Sequence, residues 1–519
     1  MESNEILEFC IQKGLLVDKE ILGLFSETSD IESVKLIIEK IKNHTQERII
    51  TRNLFDKNKE QVCKVFSTLP EENQKGLEKL KIKLGLSIEI SKEIERPVET
   101  IEEERISSNG VKVSSVVNNS LKKIEAKDFV GYFRNRLNTV RNILQENPKL
   151  VNLVSINKIS GSRQGISVIG IVSDKRVTKN KNLILEIEDA TGKLKVLINQ
   201  NKPEIYKKGE EISLDSVLGF MGSGNQDILF VNDVIFPDSY LIKRKNSLVE
   251  ECALFIGDIH YGSKLFLEES FLKFIDYLNG KIPDTPEVEK IKYLFIVGDL
   301  VAGVGNYPNQ EKDLKIKDLE DQFCGLAKLL DKIRKDIKII VSPGNHDGVR
   351  LMEPQPLIGE KYAWALHDLD NIVFTGNPVS VNIGARQGFS GFDVLTYHGF
   401  SFPFYSNTIP SLIVGEGMNN PHKIMEYLLK NRHLAPTHTS TQYFPGEEDL
   451  LVIKNIPDIF VSGHTHKSAV SYYNNILMIS SSSWESKTEY MEKMGSEPDH
   501  CKVPMFNLKT REVKVLDFE

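Results

Sequence analysis

The sequence predicts a multidomain chain: a small α-helical N-terminal domain, an OB-fold β-barrel, and a large layered α/β domain. Three observations carry this. The 519 residues exceed what one hydrophobic core covers. Residues 155–240 are rich in short β-branched runs separated by turn residues. From Cys252 onward the pattern becomes apolar run, polar loop, helix, apolar run.

Residues 1–90 read as short helices. Ser29 and Glu32 have capping-box spacing, and Ile31, Val34, Leu36, Ile37 and Ile41 follow as an apolar stripe. Nothing there carries chemistry, so the segment reads as an adaptor. Residues 91–126 read as a flexible linker. No aromatic residue occurs between Phe66 and Phe129, and the segment holds Pro97, Glu102-Glu103-Glu104 and Ser107-Ser108-Asn109-Gly110. Such a composition buries too little apolar surface to offset its ordering entropy.

Residues 127–240 read as a helix followed by the barrel. Asp128 opens an amphipathic helix with Phe129, Phe133, Leu137, Val140 and Leu144 on one side. Ile166–Val172, Leu183–Asp189 and Leu194–Ile198 are β-rich, with Ala190-Thr191-Gly192 as a turn. Further strands are expected near Ile212–Phe220 and Ile228–Phe236. Residues 155–240 have equal numbers of acidic and basic residues and few aromatics for base stacking. A protein interface is therefore the preferred reading of the barrel.

Residues 250–519 form the α/β domain. Five apolar runs, Ala253–Ile256, Tyr293–Val297, Ile337–Val341, Val394–Tyr397 and Ile459–Val461, each end in a short polar motif. The motifs are Gly257-Asp258-Ile259-His260, Gly298-Asp299, Gly344-Asn345-His346-Asp347, His398-Gly399 and Gly463-His464-Thr465-His466. Ligands in α/β enzymes gather at the carboxyl ends of strands. Ten of the eleven histidines lie in this half. A lone Gly-Asp is usually a turn and a lone His usually a hydrogen-bonded side chain. The ordered set, each member after a strand-like run, points instead to two divalent cations roughly 3.5–4 Å apart, a device that activates water against a phosphate ester.

Bulk properties limit the alternatives. The formal net charge is −7, so any nucleic-acid contact comes from a local basic patch, from bound cations or from a partner. The five cysteines form no CxxC pair, which fits a reducing compartment. No basic and apolar leader opens the sequence, and no apolar run approaches the ~20 residues of a membrane helix. A cytoplasmic location and no membrane contact are expected.

The five motifs in this order resemble the calcineurin-like metallophosphoesterase superfamily, including its nuclease branch in double-strand-break repair. The OB-like segment just before them narrows the likeness. So do Tyr307-Pro-Asn-Gln310, Gly344–Arg350, Arg432-His-Leu-Ala-Pro436 and Pro457-Asp-Ile-Phe460. Together they resemble the small-subunit family of the archaeal family-D DNA polymerases over about residues 155–519. The resemblance implies a metallophosphoesterase sandwich for the α/β domain. It implies one cation on Asp258, His260, Asp299 and His466, and a second on the shared Asp299, Asn345, His398 and His464. His346 is implied to be the catalytic residue, which contacts the scissile phosphate and protonates the leaving oxygen; Asp347 stays outside that set. Manganese is the implied ion, although mixed nitrogen and oxygen ligands alone admit manganese, iron or zinc. The implied reaction is 3′–5′ exonucleolytic proofreading; polarity does not follow from the ligand set. The implied partners are a large catalytic polymerase subunit in a heterodimer, DNA with single-stranded or mismatched 3′ ends, and the sliding clamp through the complex. Two rivals stand beside this reading. A non-catalytic accessory subunit would carry degraded motifs, and a phosphatase would use the same ligands on a phosphomonoester.

Overall fold

A computed structural model describes residues 2–18, 21–22, 25, 34–35, 38–39, 49–50, 105–106, 110–114, 123–495 and 497–519. The chain divides into two compact units, Met1–Ile101 and Glu102–Glu519. In the first, a helix spans Glu2–Gln12, and strands Leu16–Val17 and Ile49–Ile50 pair in parallel. Ile6, Cys10, Phe25, Val34 and Ile38 are buried. Ser29, Ile31, Glu32, Leu36, Ile37 and Ile41 lie outside the described residues, as does Cys63.

In the second unit the strands Gln164–Val177, Leu183–Glu188, Lys193–Ile198, Val217–Gly224 and Ile228–Ile235 close into a barrel. The fifth strand lies between the third and fourth, and only its pairing with the third is parallel. Alternation fills the interior: Leu183, Leu185 and Ile187 point inward, as do Leu194, Val196 and Ile198. The first strand runs five residues beyond the expected Val172. Its register shifts between Val172 and Asp174, which bends it so that one half pairs with the fourth strand and the other with the second. The fourth strand starts at Val217 rather than Ile212. Asp215 takes a left-handed turn (φ 61°) just before it.

The α/β domain has two sheets packed face to face. One runs, in spatial order, Ile372–Phe374, Lys338–Ser342, Ile291–Val297, Cys252–Ile256, Lys502–Asn507 and Val513–Asp517. The other centres on Phe392–Thr396, Ile459–Ser462 and Ile476–Ser480. Alternate residues face opposite layers. Ala253, Phe255, Phe295, Val394 and Val461 meet between the sheets. Leu254, Ile256, Leu294 and Ile339 pack under helices Glu268–Leu278 and Leu319–Leu330. Strands buried on both faces must be apolar throughout, which is why they read as continuous runs.

The residues 91–126 were expected to be a linker, yet Val111–Val113 is a strand. It pairs antiparallel with Val379–Ile383 and extends the second sheet, with Arg105–Ile106 beyond it. Val111 is buried between the sheets. Three residues in a polar context join the sheet through a partner some 270 positions away, which local composition does not report.

The helix begins at Ala126, where Glu125 and Asp128 form a reciprocal capping box. Leu137, Val140 and Leu144 pack on the barrel, whereas Tyr132 packs on the α/β domain. Arg136, almost fully buried, donates Nε–H to Asp449 Oδ2 (2.6 Å) and Nη1–H to the Pro436 carbonyl (2.6 Å). Tyr132 Oη donates to Asp449 Oδ1, and His433 Nε2 lies 2.9 Å from Asp449 Oδ2. Removing one member leaves a buried charge uncompensated, so Asp449→Ala is expected to destabilise the fold by about 3–5 kcal/mol in denaturant titration. A change below about 1 kcal/mol would remove this pair as the tie between helix and α/β domain. Burial, assisted by Arg136, pushes His433 down to about 4. Acid therefore protonates His433 more readily in the unfolded chain. The contribution of neutral His433 is complete above pH ~6.5 and is lost as pH falls through about 4. Asp449, despite its burial, is held well below the usual carboxylate range by Arg136 and keeps its pair with Arg136 there.

No helix among the described residues is long and apolar enough to cross a membrane.

Candidate metal centre

The five motif loops leave the carboxyl ends of neighbouring parallel strands, three in one sheet and two in the other. This brings Asp258, His260, Asp299, Asn345, His346, His398, His464 and His466 into one cluster between the sheet ends. Three groups each hold ligand atoms within 4.8 Å of one another: Asp258, His260 and His466; His260, Asp299 and His346; Asp299, His398 and His464. Asn345 joins through Oδ1, 3.1 Å from His398 Nε2.

The backbone is strained where the ligand types sit. Asp258, His260, Asp299, His464 and His466 all have positive φ, between 50° and 67°. Side chains disfavour this left-handed region, and such residues persist when surrounding structure over-determines them. Here backbone hydrogen bonds do so: Asp258 N–H donates to the Gly298 carbonyl and His260 N–H to the Asp299 carbonyl. His464 N–H donates to both carboxylate oxygens of Asp258 (3.0 Å each), tying one sheet to the other. Gly344 permits the closest approach. A Cβ there would stand 2.2 Å from Asp299 Oδ1 and 2.4 Å from its backbone nitrogen.

The donor set has the character of a cation site. His398 Nδ1 lies 2.9 Å from the Val297 carbonyl, which can only accept, so Nδ1 carries the proton. Nε2 is left as a lone pair toward Asn345 Oδ1 (3.1 Å) and Asp299 Oδ2 (3.3 Å), both acceptors. On the other side, His260 Nε2 and His466 Nε2 face each other at 3.1 Å. Asp258 Oδ1 is 3.4 Å from His466 Nε2, and Asp299 Oδ2 is 3.8 Å from His260 Nε2. Converging lone pairs repel unless positive charge lies among them. Protonation of His398 Nε2 is the competing way to supply that charge: against its burial, Asp299 raises His398 to about 10. Burial, with His398 next, lowers His464 to about 3. Burial likewise holds His260 well below the usual histidine range, with His346 adding to the effect. Burial disfavours the Asp299 carboxylate, but the surrounding imidazoles, His398 first, more than reverse this and keep it ionised.

His346 occupies the rim. Its side chain is 19 % exposed, its Nε2 lies 4.0 Å from Asp299 Oδ2, and its backbone N–H donates to Asp299 Oδ1 (2.8 Å). Asp347 turns away and accepts from Gly344 N–H (2.7 Å) and Val301 N–H (3.1 Å), so it braces the loop.

Several supporting residues carry no sequence signal. Asn377 Oδ1 accepts from His398 N–H and its amide donates to Gln355 Oε1; Gln355 Nε2 in turn donates to the Gly344 carbonyl. These amides lie far from the motifs in sequence and belong to no ligand pattern. Glu485, nine-tenths buried beside His466, was also not anticipated.

Comparison with known proteins agrees with this geometry. The family model for the calcineurin-like phosphoesterase matches residues 253–468. The chain is 35% identical over 410 residues to the DNA polymerase II small subunit of Methanothermobacter thermautotrophicus, covering 78% of this chain and 82% of that protein. It is 35% identical over 411 residues to the corresponding protein of Archaeoglobus fulgidus, covering 78% and 80%. For Methanocaldococcus jannaschii the identity is 36% over 428 residues, covering 81% and 68%.

Proposed function

The chain belongs to the family of DNA polymerase II small subunits, and from that premise we propose that it carries the polymerase's metal-dependent 3′–5′ proofreading exonuclease. One observation supports this above others: every ligand position of a dimetal phosphoesterase is filled and the residues converge. A non-catalytic accessory subunit has no need of such a buried, strained cluster.

In this reading Asp258, His260, Asp299 and His466 hold one divalent cation, and Asp299, Asn345, His398 and His464 hold the second. Manganese suits the mixed nitrogen and oxygen donors. Bound cations supply the Lewis acidity that activates water toward phosphorus and offsets charge on the phosphate oxygens. The chain's own groups do the rest. Val297 fixes the His398 tautomer so that Nε2 faces the site. Asp299 stands between the two ligand groups. His346, at the exposed edge, contacts the scissile phosphate and delivers a proton from Nε2 to the leaving 3′ oxygen.

Residues 250–519 with the Val111–Val113 strand form the phosphoesterase domain, and residues 127–240 the helix and OB-fold barrel. We place the contact with the large polymerase subunit on these two domains. Deleting residues 1–101 is expected to leave that association intact in a pull-down. Deleting through residue 125 would also strip the Val111–Val113 edge strand, so it does not test the same point. Loss of association on the shorter deletion would move the interface to the first unit.

The reading is tested with the reconstituted two-subunit complex on 3′-labelled mismatched primer. Mononucleotide release with manganese, and none after chelation, is expected. Equal rates with and without chelator, or turnover only of phosphomonoesters, would end it.

A further inference from the structure

The segment Tyr307-Pro-Asn-Gln310 has no place in the ligand set, yet it lies beside His346. The point of contact is one carbonyl oxygen. Ala302 O accepts from His346 Nδ1–H (2.7 Å), from Gln310 Nε2–H (2.8 Å) and from Asn306 Nδ2–H (3.1 Å). Because a carbonyl only accepts, Nδ1 carries a proton in this contact and Nε2 faces the metal cluster; the proton delivered to the leaving oxygen is the second one, on Nε2 of the doubly protonated ring, while Nδ1–H stays on Ala302. The Asn306 amide lies against the same ring edge, 3.1 Å from Nδ1.

The clip is itself held. Gln310, 2 % exposed, also accepts from Asn306 N–H through Oε1 (2.9 Å). Gln322, fully buried, accepts from Gly303 N–H (2.9 Å) and donates to the Gly303 carbonyl (3.2 Å). Gly303 has φ 70°, and a Cβ there would meet Asn306 Nδ2 and the His346 carbonyl oxygen at 2.3 Å each. The loop is thus shaped so that Asn306 and the backbone of His346 share one space. Buried glutamines with both ends of the amide satisfied hold a defined geometry.

We propose that Asn306 and Gln310 are positioning residues for His346: by fixing the Ala302 carbonyl they set the ring orientation from which Nε2 serves the leaving group. This rests on the reading of His346 as the proton donor. Neither residue is among the seven proposed ligand positions, and each acts on His346 through the Ala302 carbonyl.

The test uses the reconstituted full-length complex carrying Asn306→Ala, His346→Ala, or both, assayed on 3′-labelled DNA and on bis(p-nitrophenyl) phosphate. Asn306→Ala is expected to keep metal content and KM and to lower kcat on DNA about 10-fold, the scale of a modest misplacement of a catalytic group. The loss should shrink on the activated diester, whose leaving group needs no proton. The double variant should be no slower on DNA than His346→Ala alone, because both changes remove one function. Additive losses, equal losses on both substrates, or an unchanged kcat would overturn the proposal. Gln310→Met, which removes both hydrogen bonds at similar volume, is expected to behave as Asn306→Ala does. Asn306 is exposed, so its variant carries the test if Gln310→Met does not fold. If His346→Ala itself cleaves DNA at the wild-type rate, the acid assignment has failed. If only the Asn306 and Gln310 variants do, the acid stands and this proposal falls.

Discussion

Asp299→Ala is expected to empty both metal positions and to abolish hydrolysis in one step. A single oxygen explains the breadth of the effect. Asp299 Oδ2 lies 3.3 Å from His398 Nε2, 3.8 Å from His260 Nε2 and 4.0 Å from His346 Nε2. Among the described residues no other carboxylate reaches both ligand groups, since Asp258 joins only His260 and His466 among the clusters. Oδ1 also accepts from His346 N–H, so the substitution frees the loop that carries Asn345. Losing both cations removes several kcal/mol of transition-state stabilisation, about 10³-fold or more in rate. Elemental analysis should give two ions per parent chain and fewer than one in the variant. Two ions retained would show that Asp299 does not bridge.

His346→Ala should separate chemistry from metal binding. The variant is expected to keep both ions and the fold while hydrolysis falls by roughly 10²-fold or more, the size of a lost general acid. Polymerase activity of the complex should persist, because that chemistry is placed on the large subunit. The geometry offers a specific alternative. His346 also falls in a ligand-sized group with His260 and Asp299. If the variant lost one ion in proportion to its activity, His346 would be a ligand. A metal-replete variant cleaving at nearly the wild-type rate would remove it from catalysis altogether.

The strands of the α/β domain and the ligand-type residues that follow them are legible because burial on both faces demands unbroken apolar runs. Residues at the carboxyl ends of such strands share one edge, so Asp258, Asp299, Asn345, His398 and His464 could be grouped before any contact was known. The barrel strands show through period-two alternation, but the length of the first did not, because the bulge after Val172 is a response to closure. Val111–Val113 escaped for a different reason: it joins the sheet through the Val379–Ile383 edge. The amides Gln322, Gln355 and Asn377 were equally silent. Their roles arise from backbone carbonyls and N–H groups brought close by folding, and any residue has those. The left-handed φ values of five ligand-type residues also belong to this class. Nothing in Asp or His announces strain; the glycines beside them, such as Gly344 against Asp299, are its only local trace.

The most direct measurement compares two reconstituted complexes, one with the wild-type small subunit and one with Asp299→Ala, on a 3′-labelled mismatched primer in manganese. Release of single nucleotides from the 3′ end by the wild-type complex alone, with primer extension preserved in both, is the predicted result. Equal 3′ digestion by the Asp299→Ala complex would place the nuclease outside this cluster.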